Sequence, residues 1–188
     1  LYRAILSAHQ VPWAELGLAR VLLLEKRELE AEEVLTTLLA RHDNFIAAYE
    51  ALADLQARSG RPQQAYSTLL AASTKSPHRV ARLRQLGKLA LRTANPAAAE
   101  SAFAEVVRKS RYSEFRDPED HVRLVQALLA LDKAGEADET VADLERHLGR
   151  EPKGAACKSI CSALIAAHRD DAGAAQAALE QALLTGAT

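Results

Sequence analysis

At 188 residues, with 24 Lys and Arg against 25 Asp and Glu and a net charge of −1, the chain lacks the one-sign surface of a dedicated nucleic-acid or membrane-surface protein. No apolar stretch approaches the roughly 20 residues of a membrane span, so a soluble chain with no membrane partner is expected. Apolar residues make up 48% but aromatics only 4%, which points to a core of Ala and Leu in closely packed helices rather than paired strands.

Residues 1–9, LYRAILSAH, are apolar at Leu1, Ala4, Ile5 and Ala8, the spacing of one helix face. They occupy the place of a second helix whose first helix is missing. With no Met in the chain and a start in what reads as the middle of a helix, a piece of a longer protein is expected. Residues 12–45 read as helices near 12–25 and 28–41, with Ala31, Leu35 and Leu38 on one face and Trp13 and Glu15 near the start. Residues 46–79 carry the clearest pattern: Tyr49, Leu52, Ala53, Gly60, Ala65, Leu69, Ala72 and Pro77. Stepping 34 residues either way from Ala65 reaches Ala31 and Ala99; from Leu69, Leu35 and Phe103; from Leu52, Leu18 and Leu86.

Residues 80–113 form a third unit, with Ala94 where Gly60 stood and Asn95-Pro96 supplying a cap and a preset first turn. The register then breaks. Realigned on Gly135 and Pro152, a fourth unit spans 121–154 after an insertion of about seven residues at 114–120, and Thr140 falls at the Ala position. Asp117 and Pro118 predict a helix start near 118. A fifth unit, 155–188, aligns on Ala175, Leu179 and Ala182, with a frayed tail expected from Thr185.

This order of aromatic, Leu-Gly or Leu-Ala, turn Gly, Ala, large apolar residue and closing Pro over a 34-residue period resembles the tetratricopeptide repeat. The resemblance implies an all-α fold, a right-handed superhelical α-solenoid of stacked antiparallel helix pairs over 1–188, whose first helices line a concave groove. Carried onto this sequence, the groove presents Trp13, Arg20, Glu50, Asp54, Arg58, Arg84, Lys88 and Arg92. Steps of four within 50–58 and 84–92 keep them on one helix face, where they either recognise a charged polypeptide or pair with one another in water. Relatives that clamp a chaperone carboxylate use Lys and Asn, and Leu16, Arg20, Ala51, Ala81 and Gln85 stand at those positions here.

Two strings, TKSPHRVARLRQLGKLAL (74–91) and SRYSEFRDPEDHVRLVQALL (110–129), are similar to the C-terminal region of bacterial response regulators that join a receiver domain to tetratricopeptide repeats. The resemblance implies a non-enzymatic, cytoplasmic output module of two-component signalling, with a protein or peptide partner and a receiver domain upstream in the same chain. An assembly factor for pilus or secretion machinery is the alternative; the regulatory tail of an enzyme is a third. No nucleophile–base–acid set, phosphate loop or HExxH is present, so no catalytic, cofactor or metal role is assigned. Cys157, Cys161 and His168 share a predicted helix face without a fourth ligand, and the two thiols read as buried packing in a reducing compartment. The six His fall mostly near predicted helix ends, where either a cation favours the helix dipole or the side chain is simply solvated. Arg79, Arg82, Arg84, Lys88 and Arg92 keep nucleic acid open as a secondary possibility. Tyr112 and Phe115, beside Arg111 and Arg116, either meet a partner or tuck under their own loop.

Overall fold

The structure, a computed structural model, describes residues 11–77 and 79–185. Among these residues there are ten α-helices and no strand: α1 (Pro12–Leu24), α2 (Glu28–Arg41), α3 (Ile46–Arg58), α4 (Pro62–Lys75), α5 (Val80–Arg92), α6 (Pro96–Ser110), α7 (Pro118–Leu129), α8 (Ala134–Leu148), α9 (Pro152–His168) and α10 (Ala172–Leu184). The expected leading helix at 1–9 lies outside the described residues. Pro opens α1, α4, α6, α7 and α9, where its missing N–H has no helical partner to lose. Asn95, Asp117 and Asp171 cap α6, α7 and α10 through their side chains.

The helices alternate as first and second members of pairs, and one turn closes every pair. Lys26, Gly60, Ala94, Asp132 and Asp170 all take φ between 52° and 75°. The N–H that follows each donates five residues back: Arg27 to Leu22, Arg61 to Gln56, Asn95 to Ala90, Lys133 to Leu128 and Asp171 to Ala166, at 2.8–2.9 Å. This satisfies carbonyls that the end of a first helix would leave unpaired. Gly adopts the conformation without penalty, whereas an L-residue there costs about 1 kcal/mol.

The turn positions revise the sequence register. First helices start at 12, 46, 80, 118 and 152, and second helices at 28, 62, 96, 134 and 172. The fourth pair is therefore displaced by four residues rather than about seven. Gly135 is not its turn residue; it sits at the second position of α8, with open space around it. Ala137, fully buried, takes the place of Ala31, Ala65 and Ala99, and Thr140 does not. A further four residues lengthen α9, which has 17 residues where α1, α3 and α5 have 13.

The chain divides into two compact units, Leu1–Arg82 and Leu83–Thr188. In the first, Leu16, Ala19, Leu35, Leu38, Ala48 and Leu52 form one core between α1, α2 and α3, and Leu22, Ala31 and Leu55 form another. In the second, Phe103 of α6 lies so close to Gly87 of α5 that a β-carbon there would come within 2.6 Å of its ring. Val106, Val125, Leu128 and Leu144 complete a close-packed interior. On α10, Leu179 stands where Leu35, Leu69 and Phe103 are buried, yet it is 51% exposed.

Two substitutions test the turn and the register in thermal melts. Ala94→Gly, by relieving the left-handed strain, is expected to stabilise by about 0.5–1 kcal/mol. Ala137→Leu is expected to cost about 1–3 kcal/mol by overpacking, whereas Thr140→Leu stays within about 0.5 kcal/mol; equal effects at 137 and 140 would contradict the four-residue displacement.

Candidate functional site

The face that the repeat pattern assigns to ligand binding lies on the first helices. In the first unit it carries Trp13, which is 58% exposed, and Arg20, also exposed, on α1. On α3, Asp54 and Arg58 pair with each other at 2.6 Å across one helical turn. Glu50 is committed inward: Arg79 reaches it at 2.9 Å and the buried Arg82 at 3.0 Å. Arg82 also donates to the carbonyl of Ser76, closing the end of α4.

In the second unit, Arg84 is not a solvated charge. Its guanidinium donates to both oxygens of Asp120 on α7, at 2.6 and 2.8 Å, and to the carbonyl of Phe115 at 2.9 Å. Asp120 is 2% exposed at its side chain, so the pair sits largely out of water. The carboxylate holds the Arg84 guanidinium above its ordinary value. Lys88, one turn on, is exposed. Arg92 is exposed as well.

The expected face ends at Arg92 in the sequence pattern, but the corresponding positions continue onto α7 and α9. With displacements of 38 and then 34 residues, Arg84 and Lys88 correspond to Val122 and Gln126 on α7, and to Ala156 and Ile160 on α9. All four line a cleft of about 670 Å³ between α7 and α9. Val122, Ala156, Cys157 and Ile160 give it apolar lining, and Glu119, Arg123 and Lys153 add charged groups. Lys153 bonds Glu119 at 3.0 Å and Asp117 at 3.1 Å, and these carboxylates raise its pKa. The corrected register was the signal that would have found this cleft.

Cys157 lines the cleft, and Cys161 is one turn further along α9; both are buried free thiols. Burial raises both, Cys161 to about 12, so they stay protonated and act as small apolar groups. Among the described residues no group of three or more His, Cys, Asp and Glu is placed to hold a metal.

Two first helices carry polar groups where an aromatic anchor was expected. Glu15 is buried and receives Arg41 of α2 at 2.7 Å. His121 occupies the corresponding place on α7 and is buried against Asp143 of α8, 3.4 Å away, rather than solvated. Arg111 and His147 also meet Asp143, at 3.0 and 3.3 Å. Burial holds the His121 pKa below its ordinary 6.5, outweighing the opposing pull of Asp143. The fold therefore prefers neutral His121, and the unfolded chain takes up its proton first as pH falls.

No protein-family model matches the sequence, and no curated protein matches it. Solved structures do. YrrB, a tetratricopeptide-repeat protein described as having an unusual peptide-binding site, is 14% identical over 98% of this chain and 92% of its own, with a TM-score of 0.78. MamA from Desulfovibrio magneticus RS-1 is 14% identical over 94% and 96%, with a TM-score of 0.73. Pseudomonas aeruginosa pilF is 21% identical over 94% and 78%, with a TM-score of 0.64. At these identities the likeness is one of fold: the chain has the tetratricopeptide-repeat architecture.

Arg84→Ala is expected to lower stability by about 3 kcal/mol in denaturant titration, because it leaves Asp120 buried without its cation. Lys88→Glu should change stability by no more than about 0.5 kcal/mol. Separately, the stability contributed by neutral His121 is complete above its ordinary pKa and declines as pH falls below it. His121→Gln should flatten the pH dependence of the melting temperature between about pH 7 and 5; an unchanged slope would place the acid sensitivity elsewhere.

Proposed function

We propose that this chain is a non-enzymatic protein-interaction scaffold that binds a polypeptide segment along its first-helix face. The observation that carries the reading is the cleft between α7 and α9. A lining that combines the apolar Val122, Ala156 and Ile160 with the charged Glu119, Arg123 and Lys153 suits an extended or helical segment better than a small polar substrate. Exposed Trp13, Arg20 and Lys88 extend the same kind of surface on other first helices. YrrB, with its described peptide-binding site, supports a polypeptide ligand by analogy of fold.

The basic residues once open to nucleic acid are largely matched, which weakens that reading. Arg79 and Arg82 meet Glu50, and Arg84 meets Asp120. No helix among the described residues is long and apolar enough to cross a membrane. The finer reading is a cytoplasmic output module of a two-component response regulator, and it rests on the strings at 74–91 and 110–129. In it, phosphorylation of an upstream receiver shifts the population of binding-competent scaffold. The second reading, an assembly factor for pilus or secretion machinery, has the fold-level likeness to pilF on its side.

The test is affinity capture from lysate of the source cells by wild type and by Lys88→Glu and Ile160→Glu variants, with melting temperatures measured alongside. A partner held by wild type and lost from a folded variant supports the scaffold, and equal capture by all three removes binding from this face. For the finer reading, capture with the natural upstream sequence attached should change on treatment with acetyl phosphate; no change argues for the assembly role.

A further inference from the structure

The loop between α6 and α7 is more firmly held than a simple connector. Its polar groups are tied to neighbouring elements. Arg111 pairs with Asp143 at 3.0 Å, Arg116 pairs with Glu151 at 2.6 Å, and the carbonyl of Phe115 accepts from Arg84. The backbone is pinned as well: Ser113 N–H donates to Ser110 at 2.9 Å, and Phe115 N–H to the Ser113 hydroxyl at 3.0 Å. The aromatic rings point out. Tyr112 is 85% exposed and Phe115 is 68% exposed, so neither tucks beneath the loop. Tyr112 is steadied edge-on by His147, with ring centroids 6.1 Å apart. Two large apolar side chains held on an anchored backbone lose little further entropy when covered, the property that makes aromatic residues binding anchors.

The surroundings set the chemistry of the partner. Arg146, in the last turn of α8 next to His147, and Arg150, just past the end of that helix, are exposed and have no carboxylate in salt-bridge range among the described residues. Arg108, Arg111 and Arg116 nearby all have one. Glu114 is the one exposed acid in the loop itself. The two unpaired arginines outnumber Glu114, so the net unpaired charge around the rings is positive.

We propose that Tyr112 and Phe115, with Arg146 and Arg150, form a second docking surface for an acidic polypeptide segment that carries a bulky apolar side chain. The rings receive the apolar group, and the arginines meet its flanking carboxylates and set orientation. The surface is separate from the α7–α9 cleft, whose lining includes none of these four residues.

The experiment is selection from a displayed random-peptide library on the full chain, with counter-selection on Tyr112→Ala/Phe115→Ala. All four side chains are exposed, so the variants should melt as wild type does. Enriched peptides should pair Asp or Glu with Leu, Phe or Trp. A synthetic copy of the top sequence should bind about tenfold or more weakly to the double aromatic variant and to Arg146→Glu/Arg150→Glu, but unchanged to Ile160→Glu. Peptides without acidic residues, affinity unaffected by the aromatic substitutions, no enrichment over the counter-selection, or tighter binding of a single-stranded oligonucleotide would each overturn the proposal. Loss on Ile160→Glu alone would do so too, by returning the ligand to the cleft.

Discussion

The left-handed turn that ends every first helix is the constraint on which the rest depends. A helix leaves its last carbonyls without partners, and here a donor five residues on satisfies one in each of five pairs. The same bond reverses the chain and lays the second helix antiparallel against the first. Only then can a small residue at the fourth position of the second helix come close enough to be fully buried, as Ala31, Ala65, Ala99 and Ala137 are. Four of the five turns use a residue other than glycine. Packing within each pair must offset that local strain.

Polar groups supplement this apolar scheme at particular joints. Glu15 with Arg41 and His121 with Asp143 connect a first helix to its own second helix where an aromatic residue would do so by burial. Between successive pairs, Arg61 reaches Glu32, Lys133 reaches Glu100 and Arg169 reaches Asp138 at nearly the same place in the motif. Exposed pairs of this kind add little stability individually, but they penalise a slipped alignment. Arg84 with Asp120 is different in kind, because burial makes its loss expensive.

Prolines and small residues at 34-residue intervals made the helices and their pairing legible in the sequence. The later register was not, because Gly135 is an attractive turn residue in the wrong place. Asp132, able to adopt the left-handed conformation, took the turn instead. Charged positions on the first helices were equally legible, but their partners were not: Arg84 and Asp120 lie 36 residues apart, and nothing local in the sequence joins them. The cleft residues were hidden by the register alone, since Val122 and Ile160 show their common role only when counted from the correct start.

The two additions, four residues before α7 and four within α9, are of similar size to a helical turn of 3.6 residues. Inside α9 such an addition advances the helix by little more than one revolution, so residues beyond it still face the neighbours they would have met. An addition of two would have rotated the remainder roughly halfway around, setting leucines in solvent and lysines in the core. In a molecule whose pairs touch mainly their neighbours, length is thus an editable quantity, provided the edits come in whole turns or fall in a loop. Angular phase, rather than residue count, is what each added turn preserves.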